Sequence, residues 1–374
     1  MNTKRKGDIM SEQLKKLSKT IVNYSLKVKE NDRVQIIYRS NECREFIKYL
    51  INDIYDNKGI PFVKMIDEEL DNLILEKANS KTIDEIVKLK EYEVNNYDCF
   101  INIRYTQNEY DGMNIDSKIH YELGSKGKEF DNIKINKRRW VLLNYPSVID
   151  AYKAKMGTDR FRQFALEVMN VDYKEMEKSI KPLKELMEKT DVVRIVSPNT
   201  DITFSIKGMP AIPCCGTCNI PDGEIYTAPI KESVNGYITY NVKSPYQGNV
   251  YEDVHLEFEN GKIVNCSCKD KKEELVKIFN TDEGSRYIGE FSFGLNPKIL
   301  HPMGDILYDE KIKGSIHFTP GKCYEDCDNG NKSSIHWDLV LIQREEYGGG
   351  EIYLDDVLVR KDGIFVLDEL QDLN

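Results

Sequence analysis

The sequence predicts two domains of different grammar: an α/β domain with an open, mostly parallel sheet over residues 1–190, and an α+β domain with largely antiparallel sheet over residues 191–374. Three observations carry this. The 374-residue chain is longer than one compact core usually organises. Its first half alternates short β-branched apolar runs with amphipathic helical stretches. Its second half is a succession of short segments that alternate apolar and polar residues between Asn-Gly, Asp-Gly and Pro turns.

From Ser11, the stretch SEQLKKLSKTIVNYSLKV places Leu14, Leu17, Ile21, Val22 and Leu26 near helical spacing, which predicts an amphipathic opening helix. Asn31-Asp32 is a turn, and RVQIIY after it has the length and β-branching of a buried strand. ECREFIKYLINDIYDNKG reads as a helix ending at Gly59, and IPFVKMI as the next strand. Strand, helix and strand in that order predict a parallel unit, because a crossover helix lets the second strand run in the direction of the first. YDCFINIRYT and RRWVLLNYP repeat the strand reading, which extends the open sheet toward residue 150. No G-x-G-x-x-G or Walker-type loop follows any of these strands, so the domain reads as a scaffold rather than a nucleotide site. The charged helical stretch from Asp159 to Lys189 is broken at Asn170-Val171-Asp172 and at Pro182, and predicts two helices that end at a boundary near residue 190.

Beyond that boundary VVRIVSP, DITFSIKG, SVNGYITYNV, VHLEFENGKIVNCS and EIYLDDVLVRKDGIFV read as antiparallel strands. ENGK at 259–262 and KDGI at 361–364 are hairpin turns, since Gly tolerates the positive φ such turns require.

Composition narrows the function. With 40% hydrophobic and 31% charged residues the chain is an ordinary folded protein. Lys and Arg total 53 against 63 for Asp and Glu, and no basic stripe interleaves with aromatics, so nucleic acid is not an expected partner. No apolar run approaches the roughly 20 residues needed to cross a bilayer, and MNTKRKGDIM has no signal-peptide core, so the expectation is a cytoplasmic protein without a membrane partner. Lys4-Arg5-Lys6 reads as a solvated end rather than a localisation patch. Nine cysteines, an odd number without an export signal, predict reduced thiols or metal ligation rather than a disulfide framework.

The five histidines are His120, His255, His301, His317 and His336. Two stand in informative company. GSIHFTPGKCYEDCDNGNKSSIHWDLV carries His317, Tyr324, His336 and Asp338, and His-Trp-Asp at strand spacing turns His336 and Asp338 to the same face. Alone, H-x-D is better explained by a core or surface histidine bonded to a nearby carboxylate. Glu224 in NIPDGEIYTAP and Glu290 in RYIGEFSFG, each beside a Gly and apolar neighbours, add two carboxylates at candidate strand ends. Two Glu, two His and one Asp mix hard oxygen with borderline nitrogen ligands, a set suited to pairs of zinc, cobalt or manganese ions. A rival structural zinc site can be drawn from Cys214, Cys215, Cys218, Cys266, Cys268, Cys323 and Cys327, but only Cys215 and Cys218 have the two-residue gap of a zinc knuckle. The Gly-, Asp- and Asn-rich loop from Cys323 to Lys332 reads as a flexible wall of the site.

Taken together, NIPDGEIYTAP, SVNGYI, YIGEFSFG and the H-x6-Y…H-x-D arrangement resemble the aminopeptidase T and aminopeptidase S (PepS) family of thermophilic-type metallopeptidases. SLKVKENDRVQI and DVVRIVSPNTDITFSIKG extend the resemblance over nearly the whole chain. It implies that Glu224, Glu290, His317, His336 and Asp338 bind metal, that Tyr324 assists catalysis, and that Glu224 is a ligand, the proton acceptor or both. It also implies two divalent ions, zinc or cobalt ahead of manganese or magnesium, short peptides with a free N-terminus as substrates, and a homodimer. Two other readings stand beside this one: a mononuclear iron ring-cleaving dioxygenase of the dihydroxypyridine type, which has no need of both glutamates, and a non-catalytic metal-stabilised binding protein.

Overall fold

The structure, a computed structural model, describes residues 6–108 and 110–374. Lys4 and Arg5 of the basic opening lie outside the described residues. The chain forms two compact units: residues up to Asn170 with Gly216–Pro221, and Val171–Cys215 with Asp222–Asn374. No helix among the described residues is long and apolar enough to cross a membrane.

The first unit holds a five-stranded sheet in the order Ile60–Met65, Arg33–Tyr38, Cys99–Arg104, Arg139–Asn144, Asn219–Ile220. Every neighbouring pair is parallel, as the strand-helix-strand alternation predicts. The opening helix runs Lys6–Lys19 and passes into a single π-turn at Thr20–Ser25, keeping Leu14, Leu17, Ile21, Val22 and Leu26 buried. The fifth strand is only two residues long and arrives from far along the chain, which no local pattern signals.

The boundary expected near residue 190 falls just after the Tyr173–Met187 helix, whereas the compact units divide after Asn170. That helix packs on the Ile212–Cys214 strand and the Asp368–Leu373 turn, both in the second unit. Pro182 sits inside it instead of breaking it. Burial of Met176, Ile180, Leu183 and Met187 along one face holds the helix across the missing backbone bond.

The second unit contains two larger sheets. One has eight antiparallel strands in the order Lys262–Ser267, His255–Glu259, Asn235–Thr239, Thr200–Ser205, Val192–Ser197, Glu351–Leu354, Val357–Lys361, Ile364–Phe365. The other has five: Val340–Ile342, Ser315–Pro320, Ile288–Gly294, Glu224–Thr227, Ile212–Cys214. Asn260-Gly261 and Asp362-Gly363 take positive φ in the two expected hairpins. A third turn of this kind, Asp355-Asp356, uses two aspartates and escaped the Gly-based signal. The two sheets meet through aromatics: Phe204 of the larger one lies 5.1 Å from Phe291 and 5.0 Å from Phe318 of the smaller, centroid to centroid.

Candidate metal centre

Period-two alternation along three neighbouring strands decides what faces the core and what does not. In Ile288–Gly294 the rings of Phe291 and Phe293 belong to the aromatic layer, so Glu290 and Ser292 turn the opposite way. In Ser315–Pro320, Phe318 does the same and leaves His317 and Thr319 on the outer face. Antiparallel register then sets Ser292 opposite His317, Glu290 opposite Thr319, and Glu224 opposite Gly294. Glu224 is thus one diagonal step from Ser292, and the carboxylates and the imidazole converge.

Two local devices sharpen the aim. The register slips between Ile288 and Glu290, a bulge that re-directs one side chain. Gly289 suits that slip, because a Cβ there would meet the Lys322 carbonyl oxygen at 2.4 Å. His336 forms an isolated antiparallel bridge with Gly321, which has φ +111° and Ile335 carbonyl oxygen 2.2 Å from where a Cβ would stand. Between His336 and Asp338, Trp337 is buried, donates from Nε1 to Ser244 Oγ at 2.8 Å and stacks on Tyr246. With the indole anchored inward, its two neighbours face the other way, as the H-x-D spacing predicts.

All five predicted ligands come together. His317 Nε2 is 3.2 Å from Glu290 Oε1 and 3.4 Å from Glu224 Oε2. His336 Nε2 is 3.3 Å from Glu290 Oε2 and 3.2 Å from Asp338 Oδ1. Two ligand groups result, Glu224/Glu290/His317 and Glu290/His336/Asp338, each with its donor atoms within 4.8 Å of one another. Glu290 belongs to both, one oxygen on each side.

The donor chemistry fits metal ions. His317 Nδ1 lies 3.1 Å from the Glu310 carbonyl oxygen and His336 Nδ1 2.7 Å from that of Lys322. A carbonyl can only accept, so each ring donates from Nδ1 and turns Nε2 toward the carboxylates. Lone pair against carboxylate is repulsive unless a proton or a metal cation stands between them. His336 Nε2 is buried without a hydrogen-bond partner, an orphan that a metal would satisfy.

The titration of these groups reflects the same demand for positive charge. Burial disfavours the His317 imidazolium, but the Glu290 hydrogen bond and the Glu290, Glu224 and Asp338 charges overcome it and raise the pKa to about 10. His336 is likewise raised against burial, chiefly by Asp338. Burial lifts Asp338, yet His336, His317 and the Thr319 hydroxyl hold it below the usual carboxylate range. Glu224 moves the other way, pushed up by burial despite Lys311 and His317.

Tyr324 borders the group. Its ring centroid is 4.9 Å from that of His336 and 5.4 Å from that of Tyr226. Although the residue as a whole is 44% exposed, desolvation of its phenol beside the ligand groups and the Glu290 and Asp338 charges raise its pKa, so it stays a neutral donor at ordinary pH.

Several members were not legible beforehand. Lys311 is fully buried, with Nζ 3.6 Å from Glu224 Oε1 and in ion-pair contact with Glu310. Burial raises Glu310 to about 8, Lys311 opposing the shift. Ser292 Oγ donates to the Ile225 carbonyl at 3.0 Å and lies 3.3 Å from Glu224 Oε2, while Thr319 Oγ1 donates to Asp338 Oδ1 at 2.8 Å. Asp309-Glu310-Lys311 reads as a solvated charge run; only the apolar ILY before it hints at burial.

The rival thiol site does not assemble. Among the described residues only Cys214 joins a candidate group, with Asp222 and Glu224, and none of the nine cysteines forms a disulfide. The Cys323–Lys332 loop is also tied down more than its composition suggests. Asn329 Nδ2 donates to the Pro229 and Ile288 carbonyls at 2.7 and 2.8 Å, and Asn331 Nδ2 to those of Gly284 and Gly321 at 2.8 and 2.7 Å. His120, His255 and His301 take no part in the ligand groups.

Comparison with known proteins gives this arrangement a family. The thermophilic metalloprotease (M29) description matches residues 10–354. The chain belongs to this metalloprotease family. Similar members include aminopeptidase AmpS of Bacillus subtilis, 30% identical over 33% of this chain and 30% of its own length. Aminopeptidase 2 of Geobacillus stearothermophilus is 29% identical over 39% of this chain and 37% of its own, and aminopeptidase T of Thermus aquaticus 28% over 37% and 36%. The matched stretches thus span about a third of these curated relatives. The solved structure of wild-type AmpT from Thermus thermophilus shares the metalloprotease fold, with a TM-score of 0.79 at 17% identity, covering 96% of this chain and 100% of that one. Membership in a metalloprotease family favours neither the ring-cleaving dioxygenase nor the non-catalytic reading.

Proposed function

We propose that this chain is a two-metal aminopeptidase that removes N-terminal residues from short peptides, using Glu224, Glu290 and His317 at one ion position and Glu290, His336 and Asp338 at the other. The observation that carries the reading is Glu290, whose two oxygens face two different histidines. A carboxylate so placed could hold one cation on each of its oxygens. Zinc or cobalt suits the mixed N/O donors better than magnesium or manganese.

Divalent ions bound there would acidify a water, anchor the free amine and polarise the scissile carbonyl. The protein's own groups do the rest. Thr319 holds Asp338, and Ser292 borders Glu224, so these carboxylates present fixed oxygens. Glu224, whose pKa is raised by burial, is suited to take a proton from the attacking water as well as to ligate. Tyr324, a neutral phenol against His336, donates a hydrogen bond to the oxyanion that develops on the carbonyl.

We also propose a homodimer in the cytoplasm. Support for an association surface comes from the first unit, where Met65, Leu70 and Leu73 are exposed around one groove and the Glu68–Glu76 helix buries none of its residues.

The test is kinetics on aminoacyl p-nitroanilides with chelator-stripped and metal-reloaded protein, with N-acetylated peptides as control. Turnover should require both the metal and the free amine. Equal cleavage of acetylated peptides, or full activity after stripping, would overturn the proposal.

A further inference from the structure

The two ligand groups are not electrostatically equal. The Glu290/His336/Asp338 group has two carboxylates whose further support is the neutral Thr319 hydroxyl. On the other side, Glu224 faces His317 with Oε2 while its Oε1 stands 3.6 Å from the ammonium of Lys311. Lys311 has no solvent exposure, and the carboxylates of Glu224, Glu310 and Asp222 all act on it. A buried ammonium is retained only where carboxylates compensate it, and here one of them is a candidate ligand.

We propose that Lys311 is a resident cation of this centre that makes its two ion positions unequal, so that the Glu290/His336/Asp338 position fills first and the Glu224/Glu290/His317 position fills second and more weakly. The ammonium, shared with Glu310, stands against one oxygen of Glu224 and leaves that carboxylate a poorer ligand. It also repels a divalent ion in a poorly screened interior. Lys311 is a positioning residue: it acts on the ions through Glu224 and through its own charge. The inference rests on the two-metal reading above.

Cobalt(II) titrated into the chelator-stripped full chain, followed by visible absorption and calorimetry, tests it. The wild type should bind in two steps, the second at least about tenfold weaker. His336→Ala should abolish the tight step and His317→Ala the weak one. Lys311→Met should tighten the second step by about tenfold or more and move the first by less than about threefold. Because that change also frees Glu310 to ligate, the double variant Lys311→Met/Glu310→Gln must show the same tightening.

Two unresolved steps of equal affinity in the wild type would overturn the proposal. So would a weak step that disappears with His336 rather than His317, or tightening in the single variant that vanishes in the double. If circular dichroism shows that neither Lys311 variant folds, the histidine variants still test the order of filling, and Lys311→Arg, which keeps the buried charge, must leave both steps within about threefold of the wild type. A protein that binds no cobalt, or binds it unaltered in both histidine variants, would instead remove the two-metal reading itself.

Discussion

The central strands of the parallel sheet in the first unit and of the five-stranded antiparallel sheet in the second are both well buried, but to different ends. In Cys99–Arg104 the residues Cys99, Phe100 and Ile101 are buried in succession, the mark of a strand covered on both faces. Nothing there can point a charge anywhere without stranding it. In Ile288–Gly294 every residue is also buried, yet aromatic and polar residues alternate: Phe291 and Phe293 enter the core while Glu290 enters the ligand groups and Ser292 borders Glu224. A sheet with one face on an aromatic layer can gather titratable groups on the other, and partners across the strands make their burial tolerable.

The largest break of this contrast is Glu290→Gln. It should lower kcat/KM by at least about 10³-fold and reduce the bound metal, because a neutral amide cannot bridge two cations. The matching change in the first unit, Ile36→Ala, should leave metal content and kcat untouched while destabilising the fold by about 2–5 kcal/mol. Loss of metal in the Ile36 variant, measured by elemental analysis of folded protein, would blur the division between scaffold and site.

Tyr324→Phe is next. It should reduce kcat by about 10²-fold with KM nearly unchanged, as removal of a donor used only at the oxyanion does. A rise in KM at constant kcat would make Tyr324 a substrate contact instead. Thr319→Val, which removes the hydroxyl on Asp338, should weaken metal binding by about 10–100-fold without unfolding the sheet. A dialysis titration reads this directly, and an unchanged affinity would mean that Asp338 needs no support.

The smallest effect concerns buried thiols in the first unit. Burial pushes Cys43 and Cys99 up from 9.0 to about 12. The folded protein therefore keeps both protons where the unfolded chain loses them. Their stability contribution is complete below about pH 9 and is lost as pH rises toward 12. Iodoacetamide at pH 8.5 should leave both unlabelled in folded protein and label both after denaturation. Rapid labelling of either in the folded state would contradict its burial.

How much of this was readable in advance depends on how local the signal is. Arg33–Tyr38 and Arg139–Asn144 match the apolar runs RVQIIY and RRWVLLNYP, since a short β-branched run has few other fates. Asn219–Ile220, a two-residue strand completed by a distant partner, has no such pattern. In the site, Glu224, Glu290, His317, His336 and Asp338 were picked out by residue type and company, and their alternation with apolar neighbours is what gathers them. Lys311 and Glu310 were hidden because a charged run is ordinarily solvated, and burial of such a run is a tertiary fact. Ser292 and Thr319 were hidden because a hydroxyl in a strand is unremarkable until its acceptor across the sheet is known.

The central claim is that Glu290 stands between two cations. Anomalous scattering from crystals of the zinc-loaded protein tests it most directly. Two peaks should flank the Glu290 carboxylate, one beside Glu224 and His317 and the other beside His336 and Asp338. A single peak, or peaks away from Glu290, would contradict it.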